Sequence, residues 1–137
     1  MPRTIIVSNR LPVKVIENQN NELEFKPSEG GLATGLGSVY KQGDNLWIGW
    51  PGREFADKKI ELQTTAALKA QNMWPVFLTE EEITLYYEGF SNEMLWPIFH
   101  YFNQYAVFKK SYWKSYEAVN KNFCNAVLEV LSPGDKI

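Results

Sequence analysis

Short apolar runs and helical stripes succeed one another along the chain, separated by polar turns rich in Gly, Pro or Asn. Ile5-Ile6-Val7 shows no alternation, so residues 3–8 read as a short strand buried on both faces. Val13/Val15 and Leu23/Phe25 alternate around Asn18-Gln19-Asn20-Asn21, which predicts a β-hairpin with strands over 13–17 and 22–26. Behind Gly30-Gly31, the residues Leu32, Ala33, Leu36, Val39 and Tyr40 recur at helical spacing. Asn45–Trp50 reads as a second strand that Pro51-Gly52 turns off. Residues 58–71 carry no clean period and read as a short strand followed by one helical turn at Ala66–Ala70. A third strand is expected over 73–78.

Thr79-Glu80-Glu81-Glu82 is a capping box, opening a helix that should run to about Glu88 and stop at Gly89. An aromatic-rich break follows to Pro97, with helix again expected over 98–105. The longest helix is expected over 109–131, on the stripe Trp113, Tyr116, Val119, Asn120, Phe123, Val127, Val130 and Leu131. Ser132-Pro133-Gly134-Asp135 ends it, and Lys136-Ile137 begins another element, as an αβ connection does. The pattern is α/β with a hairpin inserted after the first strand, and it reads as cut inside a repeating α/β unit.

Composition narrows the function. At 137 residues the chain is one domain or part of one, and its apolar content of 45% is globular. A net charge of −2, with no basic block longer than Lys109-Lys110, argues against nucleic acid as a partner. No signal peptide or membrane span is expected, because Ile5-Ile6-Val7 is too short for either. The single cysteine, Cys124, excludes an internal disulfide and suits a reducing cytoplasm. It falls on the apolar side of the expected long helix and reads as a buried structural thiol. His100, the only histidine, reads as packed and hydrogen-bonded, so no metal site and no cofactor are expected.

Candidate chemistry gathers at two places. Gly30 and Gly31 can take positive φ and let an anion approach the backbone, while the helix behind them points free N–H groups at that spot. The helix dipole contributes only about 0.3–1 kcal/mol when exposed, so other groups must share the task. The spacing G-G-x-x-x-G-x-G is neither the dinucleotide fingerprint nor a P-loop. A plain loop, with Gly35 and Gly37 permitting close helix packing, explains it as well. Arg10 follows the first strand, at the carboxyl edge where open α/β sheets bind ligands, and its planar fork of donors suits phosphate. Trp50 at the end of the second strand either lines a cleft or caps the core.

Ser8-Asn9-Arg10-Leu11-Pro12, Glu29-Gly30-Gly31-Leu32-Ala33, Trp47-Ile48-Gly49-Trp50-Pro51-Gly52 and Tyr86-Tyr87-Glu88-Gly89-Phe90-Ser91-Asn92, leading into Leu95-Trp96-Pro97-Ile98-Phe99-His100, occur in the order found in one family. Together they closely resemble the N-terminal portion of trehalose-6-phosphate synthases. The resemblance implies a GT-B glycosyltransferase of two Rossmann-like domains facing a cleft, of which residues 1–137 would be a truncated, acceptor-side N-terminal domain. The nucleotide-sugar domain would then lie outside this sequence. Such enzymes transfer glucose from UDP-glucose to glucose 6-phosphate with retention and release of UDP, without a metal.

By the same resemblance, Arg10 and Tyr87 match positions that hold the acceptor's 6-phosphate, and Gly30 and Gly31 match the donor-side glycine loop. Trp96 matches a tryptophan beside the acceptor sugar associated with selectivity for the alpha anomer, and Trp50 a cleft-lining position. The family's Asp, His and basic pair have no counterpart within these residues, so the chain alone is expected to be inactive and to contain no catalytic residue. A non-catalytic, sugar-phosphate-binding regulatory module is the alternative. Truncation also predicts exposed apolar surface and, through it, a homo-oligomer.

Overall fold

A computed structural model describes residues 2–20 and 22–137, so Asn21 of the expected hairpin turn lies outside the described residues. The chain divides into two compact units, Met1–Phe77 with Asn125–Ile137, and Leu78–Cys124.

The first unit is α/β. Its parallel sheet has the order β1 (Ile5–Arg10), β4 (Leu46–Trp50), β5 (Met73–Pro75). Every residue of β4 is buried, as befits a central strand. The hairpin β2 (Val13–Glu17) and β3 (Leu23–Pro27) pairs in the expected register, Val15 opposite Phe25. Its turn needs no glycine: the Asn18 side-chain oxygen accepts from the Asn20 and Glu22 N–H groups, each at 2.9 Å. Helix α1 (Gly31–Tyr40) then returns along the sheet. Leu11, Trp47, Leu68 and Met73 form a core cluster, against which Leu36 and Tyr40 of α1 and Val13 and Phe25 of the hairpin pack.

Residues 58–69 differ from expectation. They form one helix, α2 (Lys58–Lys69), with no strand. Asp57 caps it by accepting from the Lys59 N–H at 2.8 Å. Only Thr64 and Leu68 are fully buried, while Leu62 is exposed, so the hydrophobic period is diluted and the cap carries the signal. The third strand is also shorter than expected, ending at Pro75.

The end of the chain is tied to its start. Lys136 bridges Thr4 in parallel, and the Ile5 N–H donates to the Lys136 carbonyl at 2.8 Å. Arg3 Nε donates to Asp135 Oδ2 at 3.0 Å, and Arg3 Nη2 donates to the Val130 carbonyl. A single parallel bridge thus holds the residues after the Pro-Gly-Asp turn beside the start of β1.

In the second unit, Thr79 caps helix α3 (Glu80–Glu82) in the expected box. The helix does not stop at Gly89. It widens into a π-helix over Ile83–Leu95 and continues as α4 (Trp96–Phe99). A short 3₁₀ turn, Asn103–Tyr105, stands where longer helix was expected. Helix α5 (Lys110–Val130), whose residues from Asn125 on belong to the first unit, buries Tyr112, Ser115, Val119, Phe123, Ala126 and Val130, a stripe of helical period. Trp113, Asn120 and Leu131 fall outside it and are exposed.

Cys124, expected to be buried, is exposed. It follows Phe123 directly, and one residue along a helix turns the side chain away by about 100°.

Candidate functional site

The carboxyl end of β1 is held by a relay of polar contacts. Trp47 Nε1 donates to Ser8 Oγ at 2.7 Å, and Ser8 Oγ donates to the Arg10 carbonyl at 2.7 Å. The Leu11 N–H then donates to the Trp50 carbonyl at 2.8 Å. Pairing with β4 is irregular between Val7 and Arg10. Gly49 makes this possible, because a Cβ there would stand 2.8 Å from the Leu11 nitrogen and 2.9 Å from the Arg10 carbonyl carbon.

The guanidinium of Arg10 lies 5.6 Å from the centre of the Trp50 ring, a cation–π arrangement. It fills the space over Gly52, whose φ of 88° only glycine takes without strain. Arg10 Nε is buried and has no hydrogen-bond partner, as is Asn9 Oδ1 beside it. A buried donor without a partner costs about 1–3 kcal/mol, which the packing of the guanidinium on Trp50 must offset. Trp50 is only 4% exposed, and its indole N–H donates to the Arg53 carbonyl at 3.3 Å. Of its two readings, the ring caps the core and supports Arg10 from below; it does not present a face to a cleft.

Gly30 stands immediately before α1 with φ 154°, and no side chain caps the helix. The first helical bond is the Thr34 N–H to the Gly30 carbonyl at 3.0 Å. The N–H groups of Gly31, Leu32 and Ala33 therefore have no acceptor within the helix. Nothing lies within 4 Å of where a Cβ on Gly30 or Gly31 would stand, and the first turn carries no acid. The Ser28 N–H donates to the Pro12 carbonyl at 2.7 Å, and Val13 pairs with Pro27. Arg10 precedes that junction by two residues and Gly30 follows it by two. One backbone tie thus joins the segment after Arg10 to the segment before Gly30, while the Arg10 side chain itself rests on Trp50 and Gly52.

In the second unit, the π-helix buries Tyr86, Gly89 and Phe90, leaving Tyr87 half-buried. Phe90 stacks on Tyr116 at 4.2 Å between ring centres, and Tyr86 lies 6.3 Å from the same ring. Burial, and then the neighbouring Tyr116, push the Tyr86 hydroxyl above its ordinary pKa, so it stays neutral and structural. Trp96 is 52% exposed and stacks on His100, with ring centres 3.9 Å apart and planes 19° from parallel. His100 Nδ1 lies 2.7 Å from the Trp96 carbonyl. His100 is hydrogen-bonded as expected, but exposed, and it fixes one face of the Trp96 ring while the rest meets solvent.

Arg10, Gly30, Gly31 and Trp50 belong to the first unit, and Tyr87 and Trp96 to the second. Two supports escaped the sequence reading: Gly49 and Gly52, which shape the seat of Arg10, and His100 as the partner of Trp96. The Gly-Trp-Pro-Gly spacing was the available signal for the first. Among the described residues no group of three His, Cys, Asp or Glu side chains is placed to hold a metal ion. No helix among them is long and apolar enough to cross a membrane.

The model of glycosyltransferase family 20 matches residues 2–137. An alpha,alpha-trehalose-phosphate synthase (UDP-forming) from Emericella nidulans is 36% identical over 135 residues, which is 98% of this chain and 27% of that protein. The chain thus spans about a quarter of the length of the curated relatives it matches. A crystal structure of the UDP-forming synthase from Burkholderia vietnamiensis superposes with a TM-score of 0.69 at 30% identity, over 98% of this chain and 26% of that one. An E. coli trehalose-6-phosphate structure bound with UDP-2-fluoro glucose superposes with a TM-score of 0.67 at 29% identity, over 97% of this chain and 26% of that one.

Proposed function

The chain belongs to glycosyltransferase family 20, and from that premise we propose that it is the acceptor-side, N-terminal portion of an enzyme forming trehalose 6-phosphate. The reaction is transfer of glucose from UDP-glucose to the anomeric hydroxyl of glucose 6-phosphate. The bond between the sugar's anomeric carbon and the diphosphate oxygen breaks, and the new glycosidic bond forms with retention. UDP leaves with the electron pair, and the acceptor hydroxyl gives up its proton. The nucleotide-sugar domain, and the groups that neutralise UDP, would come from a longer parent.

Within that reaction Arg10 and Tyr87 hold the 6-phosphate. The guanidinium supplies charge and aligned donors, and the phenol a further donor. Trp50 acts from beneath, as the ring against which Arg10 rests. The backbone N–H groups at Gly30 and Gly31 meet the departing diphosphate, where negative charge grows in the transition state. Trp96, braced by His100, offers a flat apolar wall to the acceptor sugar and selects its alpha anomer. The single cysteine suits a reducing, cytoplasmic setting.

What supports this reading is the Ser28 N–H to Pro12 carbonyl bond, which joins the backbone two residues after Arg10 to the backbone two residues before Gly30, at the head of the uncapped helix. Isothermal titration of glucose 6-phosphate into the chain tests it. Binding is expected, and Arg10→Ala should weaken it at least tenfold. Unchanged binding in that variant would sink the assignment. A UDP-release assay with both substrates should show negligible turnover by these residues alone. Appreciable turnover would overturn the view that the catalytic groups lie elsewhere.

A further inference from the structure

The face of α1 turned toward the sheet carries Ala33, Leu36, Gly37 and Tyr40 at helical spacing, and Ala33 and Gly37 have almost no side chain. A Cβ placed on Gly37 would meet nothing within 4 Å. Trp47 and Met73, near the amino ends of β4 and β5, lie opposite, and the hairpin base at Pro12 and Ser28 closes one end. The space between is a cavity of about 370 Å³, within the size range of small-molecule sites. Its walls are mainly apolar. Tyr40 meets the Trp47 ring edge-on at 5.6 Å, and Trp47 and Met73 behind it are almost wholly buried. Lys41 is the one charged residue among the described residues lining the cavity.

We propose that this cavity is a second binding site, for a flat, mostly apolar anion such as an aromatic sulfonate or carboxylate. The ring lies beneath Ala33 and Gly37 and beside Tyr40, and the anionic group points to Lys41. The site adjoins the sugar-phosphate rim at the hairpin base of Pro12 and Ser28 and extends from there under α1 toward Tyr40 and Lys41. None of the ten residues of α1 is fully buried. An occupant touching both the helix and the hairpin base would add contacts on either side of Gly30 and Gly31 and so steady that bend.

Naphthalene-2-sulfonate titrated into the ¹⁵N-labelled chain tests the proposal by NMR. Saturable shifts are expected at the Trp47 indole N–H and at the amides of Ala33, Gly37 and Lys41. Gly37→Leu, which fills the void, should abolish them while keeping a folded spectrum, and Ala33→Leu is the second filling variant if the first misfolds. Lys41→Gln, at an exposed position, should weaken binding several-fold. Neutral naphthalene should bind the unaltered chain no better than the sulfonate binds that variant. The proposal fails if no saturable shift appears up to millimolar probe or if shifts fall only on the aromatic residues of 96–108. It also fails if a folded filling variant, or Lys41→Gln, leaves binding unchanged.

Discussion

At Gly49 two stretches of backbone approach so closely that the missing Cβ decides the geometry of the neighbouring strand end. Its neighbours there are main-chain atoms of Arg10 and Leu11, which cannot rotate away as a side-chain tip can. Gly49→Ala should therefore cost about 1–3 kcal/mol, read as a lowered urea midpoint with the slope unchanged. It should also shift Arg10, so that any glucose 6-phosphate affinity falls with it. A different residue-scale effect operates at Asp135. Burial alone raises its carboxyl pKa, but the Ser132 N–H, at 2.8 Å, and the Arg3 guanidinium outweigh that and hold it below the usual carboxylate value. A group depressed in the folded state adds stability that is complete above its unfolded pKa and is lost as pH falls toward the folded one. Thermal melts of Asp135→Asn and the unaltered chain should differ at neutral pH and converge as pH drops below the ordinary carboxylate range. A gap that stays constant into acid would mean that the charge contributes nothing.

The elements differ in how plainly the sequence announces them, and the reason is physical each time. The hairpin, the glycine-led helix, the central strand and the long C-terminal helix carry a full hydrophobic period, so their types and rough limits are legible. Helix α2 turns only Thr64 and Leu68 fully inward and exposes Leu62, so its period is blurred. Gly89 misleads for another reason. Glycine after an amphipathic stretch commonly marks a helix end, yet here it lies inside a π-helix because the Tyr112 ring occupies the place of its side chain. A Cβ on Gly89 would fall 2.5–2.7 Å from that ring. Tyr112 cannot yield easily, since its hydroxyl donates to Glu93 Oε2 at 2.6 Å and the residue is only 6% exposed. Gly89→Ala, which favours helix by intrinsic propensity, should nevertheless destabilise the second unit by about 1–3 kcal/mol. Circular dichroism melts of Gly89→Ala alone and combined with Tyr112→Ala separate the two effects. If the contact governs, the glycine substitution becomes neutral or stabilising once the ring is gone. The same logic covers the site. Arg10 and the paired glycines were legible as residue types at a strand end and a helix start, and the hairpin between them already implies that its base joins the two. Only the bond that closes it, Ser28 N–H to the Pro12 carbonyl, is a detail the pattern does not give.

At the scale of the whole chain, the run from Trp96 to Phe108 departs from what a solvated surface normally carries. Phe99 is 71% exposed, Tyr101 93%, Tyr105 69% and Phe108 69%, and the intervening Phe102 is 47% exposed. Tyr101 takes a positive φ of 63°, a conformation that bulky residues seldom adopt, so the backbone itself holds this ring outward. Isolated exposed aromatics are ordinary, but five within ten residues form the kind of contiguous apolar patch that marks an interaction surface. The net charge of −2 over 137 residues offers little repulsion to keep copies apart. Self-association through this segment is therefore the expected behaviour of the chain in solution. Multi-angle light scattering across a hundredfold range of concentration should show the weight-average mass rising above that of one chain. A triple variant, Phe99→Ser, Tyr101→Ser and Phe108→Ser, should remain monomeric over the same range, because these rings contribute little to either core. A chain that stays monomeric throughout would remove the argument, and association persisting in the triple variant would move it to another surface.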